Sequence, residues 1–417
     1  MLLQAKSCNA KLFFILFIAL TLRLGALAAV PQPPLDTSAE VAYWGGAHLL
    51  SQGKGFSDQS YPVYAPPFYA VFIAACLKLF GDNHLSVILP QILFDSLTSV
   101  SLYVCMSQIF GQRVGLVSGI LWAIYPFSIY LSISIASEPL FTFLLSTFVV
   151  LITYALQSHK LYHYFFAGFA LGLATLTRGV SQFIPIYFFL WFWFFNTTKR
   201  QLVTCYLLFC LSFVLVLSPW ALRNYIVLED FVPVATAGGV VFLQGSTEIF
   251  FSSDALEKWP SYYADLLSKS ETTPPNGSKP SQIDRFNAQA GIQNYKSRVL
   301  NNPMSLGPFL FKKFLRLWYA GESGRNDKVI LLINGPIYVL ALAGAALALY
   351  RRLVFASVPF GIILYFVLVH WASLPLFRYM MPIMPYLFGF TALAIVALLA
   401  KYSSINLEEA DSSRVMT

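Results

Sequence analysis

An all-α polytopic membrane protein is expected from this chain, with about ten transmembrane helices and a small mixed extramembrane domain. Composition points there first: of 417 residues, 57% are hydrophobic and only 11% charged, against roughly a quarter charged in an ordinary soluble domain. The apolar residues are gathered into runs, and about 18 or more without a charge suffice for a helix to cross a ~30 Å hydrocarbon core. Positive charges also sit asymmetrically between those runs, as they do where loops alternate sides of a membrane.

Taken in order, the spans fall near 12–30, 87–108, 114–134, 138–157, 163–177, 180–196, 202–220, 329–350, 353–371 and 379–400. The first begins after Lys6 and Lys11 and ends in small residues around Ala26, Ala28 and Ala29, a pattern shared with secretory leaders. It is taken as a retained span, because the many spans behind it need no cleaved leader. Pro67 to Phe80 is apolar but only about 14 residues long, about 21 Å as a helix, too short to cross comfortably. It is expected to lie along or dip into the interface, with Lys78 snorkelling. Residues 31–86 then stay on the outer side. The inner connections carry Arg113, Lys160, Lys199 with Arg200, Arg351 with Arg352, and Lys401, as the positive-inside rule requires.

The expected organisation is therefore a transmembrane module over 1–221, an outer-face soluble domain over 222–328, further transmembrane helices over 329–401 and a cytoplasmic tail over 402–417. Within the outer domain, FVPVATAGGVVFLQG (231–245) alternates enough to be a strand pair with a Gly turn, 268–282 has a linker's Ser, Pro and Lys content, and 284–318 has helical spacing.

The net charge of +8 is scattered among loops and forms no stripe for nucleic acid. The cysteines, Cys8, Cys76, Cys105, Cys205 and Cys210, show no CxxC spacing and read as buried small hydrophobes. The histidines, His48, His84, His159, His163 and His370, have no metal-site spacing, and no nucleotide-binding loop or nucleophile elbow appears. No cofactor and no metal are expected.

At the outer membrane edge, Asp36 and Glu40 open the first loop and Glu138 sits in the turn ASEPLF (136–141). Carboxylates beside hydrocarbon are costly to keep, which makes function the default reading. Helix capping accounts for each of them equally well: Asp36 precedes TSAE, and Pro139 follows Glu138 at a helix start. Arg178 in LTRG, Arg223 in PWALRNY and Arg378 in LFRYMMP fall at outer span ends against the charge bias. A lipid-linked phosphate would give guanidiniums a partner; snorkelling, or pairing with Glu138, is the alternative. Arg23 and Asp95, inside the first two spans, are suited to a structural pair.

The runs AYWGGAHLLSQGKGF (42–56), YAPPFYAVFIAACLKLFG (64–81), LPQILFDSL (89–97), ASEPLF (136–141), AGFALGLATLTRG (167–179), SPWALRNYIVLEDFVPVATAGG (218–239) and FRYMMPIMP (377–385) together resemble the integral-membrane glycosyltransferases of the GT-C class, on the branch of the protein mannosyltransferases and lipid A aminoarabinose transferases. The likeness runs from about residue 12 to 400. It implies transfer of a sugar from a polyprenyl-phosphate donor to a glycan, lipid or protein acceptor on the non-cytoplasmic face, periplasmic, extracellular or lumenal. The acid of the first outer loop is then the base, a role open to Asp36 or Glu40, with Asp36 favoured, and Glu138 matches the second acidic motif. The family places its acid about four residues before the tyrosine matched by Tyr43, whereas Asp36 is seven before it and Glu40 three. Aminoarabinose relatives carry a lysine where this chain has Ala65, so phosphate contact passes to Arg178, Arg378, Arg223 or Lys54. Tyr43, Tyr64 and Tyr69 are expected to line the substrate site. A transporter or flippase would share the spans and the intramembrane charges, but paired halves with broken helices are not visible. A non-catalytic assembly subunit would leave Asp36 and Glu138 as caps.

Overall fold

The computed structural model describes residues 2–31, 38–56, 63–195, 198–252, 254–269, 277–321 and 324–414. Its helices in chain order are α1 (Leu2–Ala29), α2 (Ser38–Ser51), α3 (Phe68–Phe80), α4 (His84–Phe110), α5 (Gln112–Ala123), α6 (Pro126–Ser132), α7 (Glu138–Ser158), α8 (Leu161–Thr177), α9 (Ile184–Phe195), α10 (Lys199–Leu228), α11 (Gly238–Ser246), α12 (Ala255–Lys269), α13 (Pro280–Asn301), α14 (Leu306–Arg316), α15 (Asp327–Tyr350), α16 (Ser357–Ala372) and α17 (Met384–Arg414).

Seven helical segments among the described residues are long and apolar enough to cross a membrane, or eight if α5 and α6 count as one span bent by 55°. This corrects the expectation of ten. The run expected at 163–177 forms a helix of 17 residues, α8, and the run at 180–196 forms a short 3₁₀ turn followed by α9. Both are short of a clean crossing, while the run at 114–134 is broken at Ile124–Tyr125. Pro126 at the first turn of α6 removes the donor that would have continued α5. The carbonyls freed by that break are capped from inside the bundle: Arg23 donates to Ala123 O (2.9 Å), Trp122 O (3.4 Å) and Ser128 Oγ (3.0 Å), and pairs with Asp95 Oδ2 at 2.6 Å. The pair expected between Arg23 and Asp95 thus holds the bend between α5 and α6 against α1 and α4.

α7 and α17 form the centre of the bundle. Of their apolar windows, 72% and 67% is buried, against 17% for α1 and 22% for α15, which therefore present apolar surface outward. Small residues permit close helix crossings: a Cβ on Gly168 of α8 would lie 2.2 Å from the Phe209 carbonyl of α10. α3, too short to span, buries Tyr69, Ile73 and Leu77 against its neighbours α2 and α4. Of the cysteines, Cys76, Cys105, Cys205 and Cys210 are free thiols.

The region between α10 and α15 is helical and not mixed, and no strand occurs among the described residues. The expected strand pair at 231–245 is an irregular strap followed by α11. Its backbone needs no ladder, because the Val232 and Val234 carbonyls accept from Asn224 Nδ2 and Trp220 Nε1 (both 2.8 Å) and Thr236 N donates to Val63 O (3.1 Å). The helical spacing over 284–318 is realised as α13 and α14, separated at Pro303. Asp230 accepts from the amide and hydroxyl of Ser281 (2.8 and 2.6 Å), and Asp284 accepts from Gly239 N (2.6 Å). These bonds fasten α13 to the end of α10 and the start of α11. Lys313 of α14, fully buried, donates to Gly245 O (2.8 Å), Ala372 O (3.0 Å) and Tyr295 Oη (2.7 Å), joining the polar region to the end of α16.

Candidate functional site

The polar wall of the site begins with the turn before α7. Gln91 of α4, fully buried, accepts from Tyr69 Oη (2.6 Å) and donates from its amide to the carbonyls of Leu131, Ser132 and Ser134 at 3.2, 3.0 and 2.6 Å. The end of α6 is thereby locked, and the chain is delivered to Ser137 and Glu138 in a fixed place. Glu138 is the first residue of α7, with Pro139 behind it. A carboxylate there faces the positive end of the helix.

Two guanidiniums converge on that carboxylate, which is 1% exposed. Arg178 closes α8 and places its terminal nitrogen 2.7 Å from Glu138 Oε1 and 3.2 Å from Ser137 Oγ. Arg378, in the 3₁₀ segment Phe377–Ile383, donates from Nε to Glu138 Oε1 (2.5 Å) and reaches Oε2 at 3.5 Å. Their side chains are 20% and 26% exposed, so both reach the cavity as well as the carboxylate. Tyr379 lies beneath Arg178, ring centroid 5.8 Å from the guanidinium carbon, and stacks on His370 of α16 at 5.1 Å. Tyr43 of α2 lines the cavity together with Ser137. Burial pushes its phenol up to about 12 against the lowering pull of the Arg178 charge, so it is a neutral donor at pH 7. Burial also raises Tyr64.

These residues line a cavity of about 1330 Å³. A second wall comes from the polar region: Phe242 and Gln244 of α11, Phe250 of the 3₁₀ turn Ile249–Phe251, Trp259 and Tyr263 of α12, and Asn287 of α13. Among the described residues lining the cavity, Arg178, Arg378 and Glu138 are the charged ones, two cations against one anion. Such a balance is suited to an anion beside the two guanidiniums.

Of the expected site residues, the fold gathers Glu138, Arg178, Arg378, Tyr43 and Tyr64 around this cavity. Others stand apart from it. Arg223 of α10 donates from Nε to Phe56 O (2.6 Å) and lies over Trp220 (5.1 Å), bracing α10 against the chain after α2. Lys54 follows α2 on the exposed surface, and Tyr69 is spent on Gln91. Asp36 lies outside the described residues, and of Glu40 only its place in the first turn of α2 is described. Ser137, His370, Tyr379 and the aromatic wall were not singled out from sequence as site residues; Tyr379 adjoins Arg378 in the FRYMMP run, while the aromatics of α12 carry no motif. No group of three His, Cys, Asp or Glu side chains converges among the described residues.

Residues 64–222 match the family model of the dolichyl-phosphate-mannose-protein mannosyltransferases. No curated protein matches the chain. Among solved structures, the apo oligosaccharyltransferase of Archaeoglobus fulgidus is similar over 97% of this chain and 52% of its own, with a TM-score of 0.60 at 14% identity. The same organism's enzyme, AglB, in complex with an inhibitory peptide and a dolichol-phosphate gives 0.58 at 15% identity, over 98% of this chain and 52% of its own. ArnT from Cupriavidus metallidurans bound to undecaprenyl phosphate is aligned over 96% of this chain and 79% of its own, with a TM-score of 0.40 at 13% identity. The chain thus spans about half the length of the oligosaccharyltransferase whose fold it shares. The resemblance carried by the sequence motifs is borne out at the level of fold and family likeness: the chain is an integral membrane protein of the GT-C fold, similar over residues 64–222 to the dolichyl-phosphate-mannose-protein mannosyltransferases.

Proposed function

We propose that the chain is a glycosyltransferase that moves a sugar from a polyprenyl-phosphate carrier to an acceptor on the non-cytoplasmic face of its membrane. The observation that carries this reading is the pair of arginines, Arg178 and Arg378, held by one buried carboxylate at the wall of a cavity of about 1330 Å³. Glu138 fixes both guanidiniums, which outnumber it by one charge among the described residues of the wall, and the carrier phosphate binds beside them. The family likeness, and the dolichol-phosphate in the Archaeoglobus complex, support a lipid phosphate as ligand of this fold.

The reaction is a single inverting displacement. An acceptor hydroxyl or amine attacks the anomeric carbon while its proton passes to the carboxylate of Asp36, or of Glu40 if that residue is the base. The bond from the anomeric carbon to the phosphate oxygen breaks, and polyprenyl phosphate leaves with the electron pair, its charge held by Arg178 and Arg378. Ser137 keeps Arg178 in place beside it.

The test uses the full chain in lipid nanodiscs with a labelled polyprenyl-phosphate sugar. Polyprenyl phosphate, but not polyprenol, should raise the melting temperature. Asp36→Asn should abolish transfer with melting unchanged; full activity in that variant contradicts Asp36 as base, and an inactive Glu40→Gln moves the role there. Sidedness is read by single cysteines and an impermeant thiol reagent on intact cells, with labelling expected at Ser278 and none at Ser158. Labelling of Ser158 from outside contradicts the placement.

A further inference from the structure

We propose that the wall built by α11, α12 and α13 is a subsite for the acceptor, and that the acceptor presents an uncharged sugar ring to it. This rests on the glycosyltransferase reading and names the class of its second substrate.

The cavity is larger than one sugar requires. Pockets for whole drug-sized ligands run to roughly 300–1,000 Å³, and this one is about 1330 Å³, so a carrier head group at the arginines leaves room for a second ring. What lines the remaining wall is chemically distinct. Trp259 lies stacked with Tyr262 and Tyr263, ring centroids 5.5 and 5.7 Å away, and Phe250 tilts against it at 5.3 Å. This is a preassembled aromatic platform. The C–H faces of a pyranose carry slight positive charge and fit the negative faces of such rings. Gln244 and Asn287 supply amides beside them, and Tyr263 Oη already donates to Asn287 Oδ1 (3.0 Å), which fixes that side chain. A few placed polar groups among aromatics are the composition of a site that orients a polyhydroxylated ligand.

Charge narrows the class. Among the described residues, the charged groups that line the cavity are Glu138, Arg178 and Arg378 on the other wall. The α11–α13 wall offers no described ion to pair with a carboxylate, a phosphate or an ammonium, and burying an unpaired charge there is costly. An uncharged ring is what it fits.

An independent observation points to a ligand in the same cavity. His370, 7% exposed, lines it on α16, the helix that α11 touches through Gly245 and Ser373. Its Nδ1 is buried without a hydrogen-bond partner among the described residues. A buried polar atom left in this way costs stability until a partner arrives, and a sugar hydroxyl supplies one.

The experiment is saturation-transfer NMR on the full chain in detergent, with methyl α-mannoside, methyl α-glucoside and methyl α-galactoside as neutral probes, glucuronate as the anion and glucosamine as the cation. A neutral glycoside should receive saturation, and more than either charged sugar. Trp259→Ala should weaken that binding by up to about tenfold, Trp259→Phe should restore most of it, and Gln244→Glu should shift preference toward glucosamine. Polyprenyl-phosphate-induced melting shifts in the same variants report the donor site separately, so loss of donor binding in the unmutated chain counts against the glycosyltransferase reading and not against this wall. The subsite is overturned if no sugar receives saturation, if a charged sugar is preferred in the unmutated chain, or if Trp259→Ala binds the neutral glycoside as tightly as the unmutated chain does.

Discussion

Replacing Glu138 by Gln keeps the size of the side chain and removes the charge that gathers Arg178 and Arg378. The carboxylate is 1% exposed, and taking one partner from a buried ion pair costs about 3–5 kcal/mol. Both guanidiniums reach the cavity, with side chains 20% and 26% exposed, so water relieves part of their isolation and the cost should sit near the lower figure, about 3 kcal/mol. For a chain of this length that is a fall of roughly 3–6 °C in melting temperature, scaling down the shift per kcal/mol seen in shorter domains. A site built for phosphate gives this variant a further property. With the carboxylate gone, an anion can take its place between the guanidiniums; both proteins gain from the ligand, and binding about a hundredfold tighter to the variant than to the unmutated chain returns about 2.7 kcal/mol of the difference. Melting of the unmutated chain and of Glu138→Gln is followed against polyprenyl phosphate, with polyprenol as control. The gap between the two should close as phosphate rises. The reasoning is refuted if the variant melts within a degree of the unmutated chain, or if phosphate leaves the gap as it was.

Burial pushes Lys313 from 10.5 down to about 7. The unfolded lysine keeps its proton up to its ordinary range while the folded one releases it sooner, so the unfolded state binds more protons between these values and stability should rise with pH from about 7 to 10, by at most about 1.4 kcal/mol per unit. Tyr295, beside it, is held up to about 12 and stays out of that window; unfolding of the unmutated chain and of Lys313→Met across this range should show the slope only in the former, and equal slopes would count against it. Asp95→Asn should cost about 3–5 kcal/mol by stranding Arg23 among the carbonyls of the bend. The double change Arg23→Met with Asp95→Leu should recover part of that in a thermal melt, and a double variant less stable than the single one would show that the carbonyl caps matter more than the pair.

The fold was legible where composition alone decides: long apolar runs with few charges became helices long and apolar enough to cross a membrane, α1, α4, α7, α10, α15, α16 and α17. It was illegible where tertiary contact decides. FVPVATAGGVVFLQG alternates like a strand, yet Gly239 packs so closely on α13 that a Cβ would meet the Asp284 carbonyl at 2.0 Å. That crossing, and the side chains of α10 that satisfy the strap's carbonyls, outweigh local β-propensity. Likewise the run 114–134 reads as one span because Pro126 begins a helix as well as it ends one. At the site, Glu138 and the two arginines were readable as charges out of place, but capping of a helix by Glu138 and its pairing with the arginines stayed open beside phosphate binding. Arg378 lies 240 residues from Glu138, and only the fold shows that the pair forms. The aromatics of α12 were silent in the sequence because Trp and Tyr serve interfaces, cores and sugars alike.

Turnover against donor-lipid concentration in Arg178→Ala, Arg378→Ala and the corresponding lysine variants tests the central claim most directly, with melting temperature as the folding control. Each alanine change should remove a charge-assisted contact of about 1.5–3 kcal/mol, or roughly one to two orders of magnitude in the donor dependence of the rate. Lysine should recover only part, because a point charge cannot hold both Glu138 and a phosphate oxygen as a planar guanidinium does. If both alanine variants fold and keep the donor dependence of the unmutated chain, the arginines serve Glu138 alone and the carrier phosphate binds elsewhere.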